Sequence, residues 1–431
     1  MAQAKRADER LASGQATGAL HGLPIAIKDL VETEGIRTTL GSRLFEHNVP
    51  TRDALSVQRI KAAGAVVLGK TNVPEFGAGS HTFNEIFGTT RNPYDLARSA
   101  GGSSGGAAAA LAARMLPIAD GSDLGGSLRN PAAFCNVVGF RVSPGRVPGV
   151  PNNLPWQTLG TPGPMARSVR DAALLLSVMA GPDPRDATSI EVPGERFLEP
   201  LKRDLRGTRV AWTPDLGHLP VDRRVVDVFR RALPVFEDLG CTLEAATPDL
   251  REAREVFFTL RACLYFAPAL PRDYESLRGV VKDTVLWNTA QAYERTGADV
   301  GRAMWKQGEL FHRALAFMQE HDFLVLPSTQ VPPFPVEWEW VREIDGAALE
   351  TYLDWMEICW AITLLGFPAI SVPCGFTPEG LPVGLQIVGS HHRDFEVLQI
   401  AYAFEQATRW GQQAPPIANG EARAGRIRER G

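Results

Sequence analysis

Three features of this chain could carry covalent chemistry. The first is SAGGSSGGAAAALAARM (99–115), where two Gly-Gly pairs flank Ser103 and Ser104 ahead of an alanine run. The second is DGSDLGGSLRNP (120–131), which places Ser127 directly after Gly125 and Gly126. The third is Lys28, alone near the end of the apolar stretch LPIAIKDL (23–30). A serine hydroxyl is a weak nucleophile until a base takes its proton. No histidine fits a Ser-His-Asp arrangement near these serines; His21 and His81 fall in loops and read as structural or solvated. Hydrolysis here needs another base, and Lys28 is the available amine. Taken singly, each feature has a plainer reading: a slack tether, a turn serine, a strand-end lysine that snorkels to water. Two glycine-serine runs separated by a short helix and a strand, together with a lysine leaving a core strand, form a rarer combination.

The elements that must position these residues are legible as alternating strands and helices. LPIAIKDL reads as a buried strand running out into polar residues. ALSVQRIKAAG (54–64) has helical spacing and ends at Gly64, and AVVLG (65–69) reads as a short strand. GGAAAALAARML (105–116) and VRDAALLLSVMAG (169–181) are helices, the second closed by Gly181 and Pro182. RVAWT (209–213), a helix over 222–239 and CTLEAAT (241–247) predict an inserted α/β unit, and 250–322 reads as mostly helical and charged. FLVLPS (323–328), AISVP (369–373) and LPVGLQIVG (381–389) return to strand, followed by a helix from about 394 to 409. This alternation argues an α/β fold. The polar tail after Gln412 is expected to be frayed.

GAVVLGKT (64–71) satisfies the G-x-x-x-x-G-K-[ST] pattern of nucleotide-binding loops. Such a loop needs exposed middle residues whose amides face phosphate, then a helix. Here the middle is Ala-Val-Val-Leu, which favours a buried strand, and the chain leaves into NVPEF, with Pro74. Nucleotide binding is not expected from it.

Composition narrows the class. The 431 residues are 44% hydrophobic and 22% charged, an ordinary globular balance, and the net charge of −4 shows no basic excess, so no nucleic-acid surface is expected. The opening MAQAKRADER is too polar for a secretory signal, and no apolar run reaches the roughly 18–20 residues of a membrane span. The five cysteines, 135, 241, 263, 359 and 374, are scattered without ligand spacing. They read as buried reduced thiols of a cytoplasmic protein, and no metal or cofactor is expected.

The stretches HGLPIAIKDL, GAVVLGKTNVPEF, FGTTRNPYDLARSAGGSSGG, GSDLGGSLRNPAAFCNVVGFRVSPGRVP and LGTPGPMARSVRD, with GFPAISVPCGF and GLPVGLQIVG near the C-terminus, are similar in residue type and separation to one family. The chain resembles the amidase signature family of serine hydrolases. Lys28 stands 75 positions before Ser103, and Ser103 stands 24 before Ser127, as in family members. The resemblance is dense over about 21–181, compatible over about 182–365 and good over about 366–410. It implies one large domain with a mixed, twisted central β-sheet covered by helices on both faces.

The resemblance further implies a Ser–cis-Ser–Lys triad, with Ser127 as nucleophile, Ser103 as bridging serine after a cis Gly102–Ser103 bond, and Lys28 as terminal base. Ser104 is then the neighbour and not the triad member. Lys28 can accept a proton only when neutral, and lowering a lysine pKa from about 10.4 to about 7 costs roughly 4–5 kcal/mol against the charged form. Burial beside Ile25 and Ile27 would supply such a shift. Backbone amides of Leu124, Gly125, Gly126 and Ser127 are the expected donors to the oxyanion. Asp123 and Arg129 match polar family positions and are expected to hold the loop. Gly77 falls where members line the acyl pocket, and Ser122 and Leu124 are slight variations of little expected consequence. Members usually carry several helices ahead of HGLPIAIKDL, where about twenty residues precede it here. Any substrate wall or dimer contact from such helices is not carried over, although a homodimer is compatible.

The expected activity is cleavage of a small-molecule amide, aryl or aliphatic, through a seryl acyl-enzyme, with esterase or carbamate side activity. The alternative is the glutaminase component of a glutamyl-tRNA(Gln)/aspartyl-tRNA(Asn) amidotransferase, since it shares every motif quoted. Trp338, Trp340, Trp355 and Trp360 in FPVEWEWVREIDGAALETYLDWMEICWAIT (334–363) read first as core and lid packing. A sharper reading is an aromatic rim favouring an aryl or aliphatic group.

Overall fold

The computed structural model describes residues 1–420. Its centre is an eight-stranded mixed sheet. From one edge the strands run Thr242–Ala245, Arg209–Trp212, Phe323–Pro327, Pro382–Gly389, Ala369–Phe376, Val138–Arg141, Thr161–Ala166 and Ile118–Asp123. The first three pair in parallel and every later pairing is antiparallel.

Alternation along the central strands explains why helices cover both faces. On Phe323–Pro327, Phe323 and Val325 enter one buried cluster, and Leu324 and Leu326 enter another. Successive side chains of a strand point to opposite faces, so an apolar run in this position must be buried twice. The first cluster is completed by the helices Leu55–Ala62, Val169–Met179, Arg223–Ala232 and Asp394–Thr408. The second is completed by Ala253–Arg261, Gly297–Glu320 and Glu357–Leu364. The expected helix over 222–239 divides at Pro234 into Arg223–Ala232 and Pro234–Asp238, because proline has no amide proton for the preceding turn. The long helix Gly297–Glu320 starts at a reciprocal cap between Thr296 and Asp299.

The segment that carries Lys28 is a separate ribbon at the edge of the sheet. Pro24–Lys28 pairs in parallel with Val66–Thr71, and the Lys28 amide donates to Asp120 Oδ1 at 2.7 Å, which ties the ribbon to the edge strand. The GAVVLGKT pattern is therefore strand where a phosphate loop would need an open turn. Its Lys70 Nζ is taken up by Val31 O (2.5 Å) and Thr33 Oγ1 (2.8 Å).

One expectation near the termini changes, and the opening residues gain a structure. The polar opening residues form the helix Ala2–Ala12, with no buried side chain. Gln3 Oε1 accepts from the Val67 amide (3.2 Å), and the His21 ring nitrogen meets Ala7 O (3.0 Å). The tail just after Gln412 is anchored where fraying was expected: Gln413 O accepts from Tyr94 Oη (2.5 Å), and Pro416–Asn419 is a short helical turn. Residues 421–431 of that tail lie outside the described residues. No described helix is long and apolar enough to cross a membrane. Cys135, Cys241, Cys359 and Cys374 are buried free thiols, and Cys263 is half-buried.

Candidate active site

Lys28 is the last residue of its strand. Ile25 and Ile27 turn into the core, and the lysine side chain passes to the other side, where it is wholly buried. Its Nζ lies 2.8 Å from Ser103 Oγ, 2.8 Å from Ser104 Oγ, 3.1 Å from Ser122 Oγ and 3.3 Å from Ser122 O. Burial pushes its pKa down from 10.5 to about 7, although the nearby Asp120 and Asp123 work in the opposite direction. Desolvation is thus the dominant force on this amine, and near pH 7 a large fraction of it is uncharged. A neutral amine keeps one lone pair, so among these hydroxyls it can accept a proton from one while donating to others.

Ser103 and Ser104 are equally close to the lysine, so distance alone does not choose between them. Their surroundings do. Ser103 lines a cavity of about 250 Å³ together with Ser127, whereas Ser104 is fully buried outside that lining. Ser104 has a scaffolding contact as well: its amide donates to Ser127 O at 3.2 Å. The Gly102–Ser103 peptide bond is cis. Ser104 leads into the helix Gly105–Ala112, and there a Cβ at Gly106 would run into the backbone of Asn72. The glycine-rich opening therefore packs tightly, which excludes a slack tether. Ser122, expected to matter little, faces the cavity and contacts the lysine.

The loop bearing Ser127 is held from below by a buried ion pair. Asp123 Oδ1 accepts from the Gly126 amide (2.9 Å) and Arg129 Nη2 (2.9 Å), and Oδ2 accepts from the Leu128 amide (3.1 Å) and Arg129 Nε (3.1 Å). Arg129 continues to Cys359 O and Gln386 Oε1, and Arg141 approaches Asp123 at 3.6 Å. Burial alone would raise the Asp123 pKa, but the two guanidinium groups bring it well below the ordinary carboxylate range. Asp123 and Arg129 thus join the loop to the core through these bonds. Asp123→Asn would leave Arg129 and Arg141 buried without a counter-charge. Urea unfolding is expected to show a loss of about 3–5 kcal/mol, and a loss below about 1 kcal/mol would contradict this role.

One of the four amides expected at the oxyanion is already committed, because the Gly126 N–H is satisfied by Asp123. Leu124, Gly125 and Ser127 are the others, and all three line the cavity. Gly126 has a structural reason to be glycine: its φ is +103° and a Cβ would meet Cys359 Cβ at 2.6 Å. Gly77 lines the cavity, and a Cβ there would lie 3.5 Å from Ser103 Oγ.

The aromatic wall comes from a different part of the chain than the tryptophan segment suggested. Trp355 and Trp360 are core residues, and Trp338 is half-exposed beside Phe334. Residues 334–363 contribute only Leu353 and Met356 to the lining, while Phe257, Arg261, Tyr265 and Phe266 come from the helical region 253–266. Trp360 supports this wall from behind, stacked on Phe257 at 4.7 Å. A signal was present in the sequence: Phe257, Arg261 and Tyr265 recur at the i, i+4, i+8 spacing of one helix face. His81 takes no part, since one ring nitrogen meets Val336 O (3.1 Å) and the other Ser99 Oγ (2.7 Å).

Comparison with known proteins places the chain in a family. A sequence model of the family described as Amidase matches residues 1–398. An acylamidase of Rhodococcus erythropolis is 41% identical over 94% of this chain and 85% of its own length. A glutamyl-tRNA(Gln) amidotransferase subunit of Geobacillus stearothermophilus is 38% identical over 96% of this chain and 89% of its own. The crystal structure of a bacterial aryl acylamidase of the amidase signature enzymes superposes with a TM-score of 0.91 at 29% identity, covering 98% of this chain and 89% of the other.

Proposed function

Because the chain belongs to the amidase family of Ser–cis-Ser–Lys hydrolases, we propose that Ser127, Ser103 and Lys28 cleave the C–N bond of a small, largely apolar amide through an acyl-enzyme. The observation that carries this reading is the fully buried Lys28 amine, 2.8 Å from a serine that shares its cavity with Ser127. Ser127 Oγ attacks the carbonyl carbon as its proton passes to Ser103 Oγ, whose own proton passes to neutral Lys28 Nζ. The carbonyl oxygen becomes an oxyanion facing the amides of Leu124, Gly125 and Ser127, where one well-placed donor contributes about 2.7–4 kcal/mol. When the intermediate collapses, the proton returns from Lys28 through Ser103 to the departing nitrogen, which leaves as a neutral amine. Water then releases the acyl group by the same relay.

The walls favour an apolar acyl or amine group over an amino-acid head group. Phe76, Phe257, Tyr265, Phe266, Leu353 and Met356 face the cavity. The α-ammonium of glutamine would need a carboxylate there, and the lining offers only Asp123, already committed to Arg129, Arg141 and two amides. A steady-state panel tests this. The purified chain is expected to hydrolyse aryl and aliphatic amides such as butyranilide, with glutamine turned over at least about 100-fold more slowly, the scale on which an apolar pocket rejects an added polar group. Glutamine turnover that rises with tRNA, ATP and partner proteins would instead identify a component of an amidotransferase.

A further inference from the structure

Resting on that reading of the cavity, we infer that the preferred amide carries a carboxylate, held by Arg261 at a position remote from the bond that is cut. Arg261 is 5% exposed and lines the same cavity as Ser103 and Ser127. Its charge has no carboxylate partner among the described residues. Nη1 donates to Asn288 Oδ1 and Nη2 donates to Tyr352 Oη (2.6 Å), both neutral acceptors. The guanidinium also stacks on Phe266, 4.5 Å from the ring centre. Buried charges are normally paired, because removing an ion from water without a counter-ion is expensive. The other buried arginines of the site follow that rule, Arg129 and Arg141 both lying against Asp123. Arg261 alone in this lining awaits an anion, and it faces the space a substrate would fill.

The surroundings fix the guanidinium in place for such a partner. The helix Ala253–Arg261 passes into a wider turn over Ala262–Phe266, and this brings Phe266 beneath the guanidinium five residues on. Asn288 and Tyr352 also bond each other, Asn288 Nδ2 donating to Tyr352 Oη at 2.6 Å. The side chain is thus held by two hydrogen bonds and a ring, which leaves its planar fork less entropy to lose when a carboxylate binds. With Asp123 neutralised, the cavity presents positive charge beyond its apolar walls. An amide with an apolar body and one carboxylate matches that pattern, and a zwitterionic amino acid does not.

Paired substrates test the inference, with arms that separate the two places a carboxylate can sit. One pair is glutaryl-4-nitroanilide against butyryl-4-nitroanilide, with the carboxylate on the acyl side. The other is N-butyryl-4-aminobenzoate against butyranilide, with the carboxylate on the amine side. In at least one pair the charged member is expected to have a kcat/KM about 10- to 100-fold higher, the range of a hydrogen-bonded charge pair. Arg261→Met should collapse that ratio towards one, mainly through KM, and Arg261→Lys should restore part of it. Ratios near or below one in both pairs for the unmodified enzyme overturn the inference, whether or not the variants fold. Charged and neutral substrates that are both still cleaved after Ser127→Ala would instead overturn the catalytic reading itself, so the two failures are distinguishable.

Discussion

Ser127→Ala is expected to abolish amide hydrolysis, lowering kcat by roughly 10⁴- to 10⁶-fold to whatever rate binding and the remaining amides sustain. The fold is expected to survive, because the scaffold of the loop does not depend on that hydroxyl. Asp123 holds the loop through the amides of Gly126 and Leu128, and the backbone oxygen of Ser127 keeps its bond from the Ser104 amide. Removing one oxygen from a half-buried side chain at the cavity wall leaves no buried polar group without a partner. Circular dichroism and a thermal midpoint within about 1 °C of the parent, roughly the effect of 1 kcal/mol in a chain this long, would separate lost chemistry from lost structure.

Lys28→Met is expected to lower kcat by about 10²- to 10⁴-fold, the contribution of a positioned general base, without lowering stability at pH 7. The sign follows from proton linkage. The folded-state pKa of about 7 lies below the ordinary 10.5. Between those values the unfolded chain binds a proton that the folded chain does not, so the Lys28 contribution to stability rises with pH through that window. The penalty of burying the amine is full below about pH 7 and absent above about 10.5. Replacing it by an apolar side chain removes a penalty of roughly 4–5 kcal/mol at or below neutrality. Ser103, Ser104 and Ser122 lose a partner, at about 1 kcal/mol each. The thermal midpoint at pH 7 is therefore expected to equal or exceed that of the parent, with the advantage shrinking as pH rises. A midpoint well below the parent at every pH would contradict a lysine held against its own desolvation. The same titration predicts activity in the parent that climbs through pH 7 as Lys28 becomes neutral.

The sequence made the candidate residues of the site legible because their constraints are local. Lys28 ends an apolar run, Ser103 sits between glycine pairs that close packing demands, and Ser127 follows the strand whose Asp123 anchors its loop. The strands of the sheet were legible for a similar reason, since short apolar runs bounded by turn residues have few alternatives. The walls of the cavity were harder to read. Phe257, Arg261, Tyr265 and Phe266 reach Ser127 only through tertiary packing, and their helix reads like any amphipathic segment until something shows which face it turns inward. The tryptophans drew attention by residue type, yet Trp355 and Trp360 proved to be the layer behind the wall. The commitment of the Gly126 amide to Asp123 was not legible either, because it depends on the turn geometry after residue 123. The contact of Ser122 with the lysine likewise needed the strand pairing that sets one ribbon against the sheet edge.

The most direct test is the rate and place of labelling by a fluorophosphonate, followed by peptide mass spectrometry across pH 5 to 9. A single adduct on Ser127 is expected, forming faster as pH rises through about 7, and formed far more slowly, with no such rise, in Lys28→Met. An adduct on another residue, or labelling of Ser127 that is indifferent to Lys28, would contradict it.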